Sequence, residues 1–172
     1  PDKADSDRLE EAWRKWGQNC DVSGRLTWPE IQRLVCGSTA RDGEVLIRMF
    51  PGWGGNEFRF GVQVLECDYL DENLNEDLKD GGRITMGVEK DEFDRVRAYY
   101  LATRTSPSTA AEVYQFGSRN YMRVPASEIV HPFETMRPQQ TRGVTWLHTA
   151  IRRLNMLNAL EEATLVNQRI SA

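Results

Sequence analysis

VPASEIVHPFETMRPQQTRGVTWL, running from Val124 to Leu147, is the stretch on which the reading of this chain turns. It opens with the end of a short strand at Val124-Pro125-Ala126. A second apolar run, Ile129-Val130, delivers His131 immediately before Pro132. Arg137 and Arg142 then flank Gln139-Gln140, and Gly143 stands just ahead of a helix that opens at Trp146. Guanidinium forks pair with carboxylates or carbonyls, so two of them in one loop can pin that loop onto a strand layer. Gly143 can supply a positive φ. His131, at the end of an apolar strand, reads as a hydrogen-bonded structural histidine.

Working outward, residues 145–172 read as one long helix. Trp146, Ala150, Ile151, Leu154, Leu157, Leu160 and Leu165 form a broad apolar stripe. From Trp146 to Ile170 it would run roughly 35 Å at ~1.5 Å per residue. Upstream, residues 44–130 are β-rich. Glu44–Phe50 and Glu57–Glu66 read as strands joined across Pro51-Gly52-Trp53-Gly54-Gly55, with Trp53 exposed at the tip. Phe58, Phe60, Val62 and Val64 share one face of the second strand, the pattern of a half-buried strand. Arg83–Glu89 reads as pairing with Val96–Thr103 across Lys90–Asp94, and Glu112–Phe116 with Asn120–Val124 across Gly117-Ser118. Asp68–Gly82 is acidic and rich in turn residues, and reads as a solvated loop.

Residues 1–43 read as helical. Leu9, Ala12, Trp13 and Trp16 recur at helical spacing, with Asp7 and Glu10 as a capping box. A second helix begins at Trp28. Thr27 and Glu30 cap it, Pro29 fits its first turn, and Leu26 with Ile31 forms a staple. Asp42-Gly43 turns the chain into the first strand. The expected class is α+β, with two N-terminal helices, antiparallel β hairpins and a long C-terminal helix. The expected core is Leu9, Trp13, Ile31, Leu34, Phe60, Val62, Val88, Ile129, Ile151, Leu154 and Leu157, with Trp16 and Trp28 beside them.

Composition narrows the function classes. The 172 residues are 40% hydrophobic and 28% charged, far from the composition of disorder. That length fits one domain. The start at Pro1 and the finish inside a helical pattern suggest a fragment of a longer protein. A net charge of −4 argues against a general nucleic-acid binder. No apolar run approaches the ~20 residues needed to cross a bilayer, and no leader is evident, so a soluble, intracellular origin is expected. Cys20, Cys36 and Cys67 are odd in number and form no C-x-x-C pair, which points to reduced, partly buried thiols.

Catalytic readings find little support. The carboxylates of residues 68–80 could in principle hold a divalent ion for hydrolase or nuclease chemistry, but their spacing does not follow a calcium loop and no histidine is near. His131 and His148 have no accompanying nucleophile signature. Gly52, Gly54, Gly55, Gly81 and Gly82 lack the pattern of a phosphate cradle and read as turn glycines. No residue is assigned as catalytic, cofactor-binding or metal-ligating.

The opening stretch resembles a segment of the portal proteins of tailed bacteriophages, the lambda-type family. The matching positions are Val124-Pro125-Ala126, Ile129, Val130, His131, Phe133, Arg137, Pro138, Gln140, Arg142, Gly143 and Trp146. The likeness continues, in the same order along the chain, through Arg41-Asp42-Gly43-Glu44-Val45-Leu46 and Val64–Leu70. It includes Ile84–Glu89 with Asp91, Arg95, Ala98, Tyr99 and Tyr100. Asp94 departs from the family, which usually has glycine there; the difference bears on the turn type. The resemblance covers residues 9–166. It implies a wing-like fragment whose long helix leads toward the stem of a dodecameric ring at one capsid vertex. DNA passes through such a ring, with no sequence-specific binding. The implied partners are the terminase large subunit, the major capsid protein and head-completion proteins. No enzyme activity, cofactor or membrane is implied, and the implied location is the virion, after assembly in the host bacterial cytoplasm. In that setting the Arg137–Gly143 loop either pins the strand layer or contacts a neighbouring subunit or the DNA channel.

Overall fold

The computed structural model describes residues 3–103 and 120–171. Two helices, α1 (Lys3–Gln18) and α2 (Trp28–Asp42), precede the strands. The strands are β1 (Leu46–Pro51), β2 (Phe60–Leu65), β3 (Glu76–Asp77), β4 (Arg83–Thr85), β5 (Val88–Lys90), β6 (Val96–Ala102), β7 (Tyr121–Pro125) and β8 (Ile129–Val130). Helix α3 (Ile151–Ser171) closes the described chain. The class is α+β, as the sequence predicts.

Two antiparallel sheets form, ordered β2-β1-β8 and β3-β4-β5-β6-β7. The first lies between the helices and the second sheet, because alternation along a strand sends neighbouring side chains to opposite faces. Ile47 pairs with Val64 and Met49 with Val62, and these side chains pack with Phe60 against Trp16, Ile31 and Val35 of the helices. Leu46 and Leu65, on the other face, join Val88, Tyr99, Leu101 and Val124 of the second sheet. The chain passes from one sheet to the other through a 3-10 turn at Ala126–Glu128, which sets β8 beside β1.

The α1–α2 connection shows how local polar bonding fixes the helical layer. Asp21 is buried, and its carboxylate accepts hydrogen bonds from the Ser23, Arg25 and Leu26 amides at 3.0–3.1 Å and from Ser23 Oγ at 2.5 Å. Its neighbours extend the sheet: Val22 N donates to Val62 O and Val62 N to Cys20 O. At the start of α2, Glu30 Oε2 accepts from Thr27 N at 2.8 Å and Thr27 Oγ1 at 2.7 Å, the arm of a capping box that reaches back to the residue before the helix. Leu26 and Ile31 pack into the same cluster, as the staple predicts.

Several expectations are corrected. Helix α1 begins before Asp7, so Asp7 and Glu10 are not its cap. The strand expected over Arg83–Glu89 is two strands, β4 and β5, folded at Met86-Gly87 with φ of 51° and 80°. Two consecutive positive φ values suit a two-residue hairpin, because they match the twist of the flanking strands. Only Val88–Lys90 pairs with β6, with a bulge at Glu89/Lys90. Strand β7 pairs with β6, with Tyr99 opposite Val124; its expected partner, Glu112–Phe116, lies outside the described residues. The acidic loop contains a short strand, β3, bonded to β4. Helix α3 starts at Ile151 rather than Trp146, after turns. Trp53 is half-buried, lying against Gly61.

The core differs most. Ile31, Val62, Val88, Ile129 and Trp16 are buried, and Phe60 and Trp28 pack against Trp16, Ile31 and Val62. Leu9, Trp13, Leu34, Ile151, Leu154 and Leu157 are exposed. Helical periodicity marks an apolar face without saying what covers it, and among the described residues the flanks of α3 are open to solvent. We therefore expect Ile31→Ala to lose about 2–5 kcal/mol of stability and Leu157→Ala to change it by less than about 0.5 kcal/mol in urea unfolding of this chain. Equal losses would show that α3 is packed in the chain as it stands.

Candidate functional site

The Arg-Pro-x-Gln-x-Arg-Gly loop and the α2–β1 junction meet in a buried polar clasp. Glu44 sits directly after the cap of α2, where Gly43 at φ 93° ends the helix and donates its N–H to Thr39 O at 3.0 Å. A left-handed cap of this kind suits glycine. The Glu44 side chain is 4% exposed. Its Oε1 accepts from Arg142 at 2.6 Å, and its Oε2 accepts from Gly143 N at 2.7 Å and lies 2.9 Å from His131 Nε2. A buried carboxylate is tolerable only when its lone pairs are satisfied, and here both oxygens are engaged.

Arg142 uses the rest of its fork on carbonyls. Nη1 donates to Met86 O at 3.2 Å and more weakly to Leu70 O at 3.4 Å, and Nη2 donates to Cys67 O at 3.2 Å. One guanidinium therefore ties the 67–70 turn, the β4–β5 turn and the α2–β1 junction to the loop that leads into α3. Gln140 shapes that loop from within. Its Oε1 accepts from Met136 N and Arg137 N, and its Nε2 donates to Glu134 O and Arg142 O. Arg137 remains exposed, so of the two arginines singled out in the sequence only Arg142 enters the clasp.

Gly143 has a different task from the one its sequence context suggests. It is absent from the glycines with positive φ; what it supplies is closeness. A Cβ there would lie 2.2 Å from Gly43 O, and a Cβ on Gly43 would lie 2.4 Å from the Val144 carbonyl carbon. The two backbones touch, and the chain beyond is bound to α2 by Trp146 N donating to Ala40 O at 3.2 Å and Thr145 Oγ1 to the same oxygen at 3.3 Å. The base of α3 is thus attached to the end of α2.

The clasp is built to hold rather than to react. His131 faces a carboxylate and packs edge-on to Tyr99 and beside Phe133. Burial, and then the nearby Glu44 charge, push the Cys67 thiol up, away from the reactive thiolate form. Burial pushes the Tyr99 phenol up to about 12. His148 is exposed. Cys20 is buried, Cys36 exposed and Cys67 partly buried, all free thiols. Among the described residues there is no group of three or more His, Cys, Asp or Glu that could hold a metal ion. The acidic loop divides: Glu72, Glu76 and Asp77 are exposed, whereas Asp71 accepts a 2.5 Å hydrogen bond from Tyr121 on β7. Glu44 and Gln140 fall within the stretches that carry the resemblance, but sequence pattern does not reveal what they bond to, nor the Asp71–Tyr121 bond, since these contacts have no periodic signature.

Burial alone would raise the Glu44 pKa, but the bonds from His131, Arg142 and Gly143 outweigh it and hold the carboxyl below its usual range. A depressed folded-state pKa contributes stability that is present above the unfolded value, near 4.3, and lost as pH falls through the folded value. Unfolding measured between pH 7 and pH 3 should therefore show an acid-side loss that Glu44→Gln reduces, the remainder belonging to other carboxylates held low, such as Asp21 and Glu89. Removing one partner of a buried pair costs about 3–5 kcal/mol, so Arg142→Met should be strongly destabilising. Neutralising Glu72, Glu76 or Asp77 should shift stability by less than about 0.5 kcal/mol, against about 1.5–3 kcal/mol for losing the charge-assisted bond in Asp71→Leu. Uniform effects across the four would mean that Asp71 is solvated like its neighbours.

The sequence profile described as phage portal protein, lambda family, matches residues 1–172. The chain is also similar to a probable portal protein of Halomonas phage phiHAP-1, with 37% identity over 160 residues. That match covers 92% of this chain and 30% of the relative, so the chain spans less than a third of the relative's length. Among the described residues no helix is long and apolar enough to cross a membrane. With the matched profile running the whole length of the sequence, the chain belongs to the lambda family of phage portal proteins.

Proposed function

We propose that this chain is a structural segment of a portal subunit, part of a dodecameric ring at one capsid vertex through which double-stranded DNA enters and leaves the head. The observation that carries the reading is the clasp. It joins two sheets, α2 and the base of α3 through one buried carboxylate, while α3 itself projects with apolar residues such as Leu154, Leu157 and Leu165 uncovered. A rigid body bearing an unsheathed helix suits a strut between parts of a larger assembly. Small shifts of such a helix against its neighbours are a known way for packed assemblies to pass on a change of state.

The net charge of −4 supports the passage of DNA without gripping it. In this reading the ring docks the terminase large subunit during packaging, meets the major capsid protein at its rim and later receives head-completion proteins. It has no catalytic centre of its own, resides in the virion and is assembled in the host bacterial cytoplasm. Negative-stain electron microscopy of the full-length protein tests it. Rings with a central hole and about twelve-fold symmetry are expected from interfaces that close by rotation; a homogeneous monomer or dimer would overturn the proposal.

A further inference from the structure

A cleft of about 440 Å³ opens between the β5–β6 turn and the loop leading to Thr141; Lys90, Phe93, Asp94, His131, Phe133 and Gln139 are among its lining. Lys90 sets it apart from an ordinary surface groove. Its side chain is 4% exposed, and its Nζ donates to Thr141 Oγ1 at 2.8 Å. The nearest carboxylate oxygen, Asp94 Oδ1, is 4.0 Å away and is bonded at 2.5 Å to Arg83. An ammonium carries three donors. Among the described residues, two of the Lys90 N–H groups therefore have no acceptor at hydrogen-bonding distance. Burying a charge so loosely paired is costly, and burial accordingly lowers the Lys90 pKa, with Asp94 only partly opposing it.

Two further observations concern the same cleft. Of the four non-glycine residues with positive φ among the described residues, Asp94 at 63° and Gln139 at 62° both line it. Such strained backbone concentrates at ligand clamps. At its rim Phe93 is 67% exposed, offering an apolar surface beside the ammonium. Lys90 and Arg83 against Asp94 leave one positive charge uncompensated, which a single carboxylate would neutralise.

We propose that this cleft receives a carboxylate carried on an apolar stem. The carboxylate accepts the two open N–H groups of Lys90, and the stem lies against Phe93 and Phe133. The site lies within one chain and does not depend on ring formation. A free small acid and an acidic residue on a protein segment present the same chemistry.

Ligand-observed fluorine NMR on this chain, using fluorophenyl-propionate and its neutral amide, tests the proposal. The acid should show saturable line broadening, with the amide at least about tenfold weaker. Lys90→Arg should retain binding and Lys90→Met abolish it. Equal behaviour of acid and amide with the unaltered chain, or no broadening by either, overturns the proposal whatever the variants do. Displacement of the bound acid by acetyl-Phe-Glu-amide, but not by acetyl-Phe-Gln-amide, assigns the site to a protein segment. Failure of both peptides to displace it assigns the site to a free acid.

Discussion

A carboxylate taken out of water must be answered by donors, and the answer to Glu44 organises this fold. Its two oxygens receive a guanidinium, a backbone amide and an imidazole. Each donor comes from the segment between β8 and α3, whereas Glu44 follows α2. Satisfying one buried charge therefore brings residues 98 positions apart into register. The guanidinium then spreads the constraint, since its remaining N–H groups reach carbonyls in the turns that end at Leu70 and Met86. Replacing this network by apolar side chains could equal it in stability, but would not specify the same alignment of segments.

Steric closeness acts together with charge. Gly43 and Gly143 touch through their backbones, which lets Gly143 N reach the carboxylate and sets Trp146 N on Ala40 O. A side chain on either glycine would part α2 from the approach to α3. The consequence is mechanical: α3 has its base held by Trp146 N and Thr145 Oγ1, both bonded to Ala40 O of α2, while its apolar flanks stay open. Burying such flanks is worth roughly 25 cal/mol per Å², a strong reason for a helix of this composition to find partners in a larger assembly.

Much of this was legible in the sequence, and the failures have physical causes. The α+β class, both N-terminal helices, the Thr27–Glu30 cap and the buried Ile31, Val62, Val88 and Ile129 follow from periodicity and capping chemistry, which are local. His131 was readable as a hydrogen-bonded histidine from its place at the end of an apolar strand. Its partner was not, because nothing near Glu44 announces a contact so far along the chain. Arg142 and Arg137 look alike in sequence, yet only one finds a buried carboxylate. The β4–β5 turn lacked the usual Asn-Gly signature, with Met86 instead taking the left-handed conformation. Asp94 takes φ 63°, a left-handed conformation that suits the glycine which the resemblance sets at this position. Trp13, Leu154 and Leu157 belong to the expected core and yet are exposed, because periodicity reports that a face is apolar and stays silent on what covers it.

Hydrogen exchange resolved to single amides tests the central claim most directly, comparing the unaltered chain with Glu44→Gln. The clasp predicts that Gly143 and Trp146, whose N–H groups bond to Glu44 and Ala40, are protected at neutral pH. Both should lose protection together in the variant, while Val62, held by Cys20 O in the helical layer, keeps its own. Free exchange at Trp146 in the unaltered chain, or protection there indifferent to Glu44, would contradict the account, because the base of α3 would then be held by something other than this carboxylate.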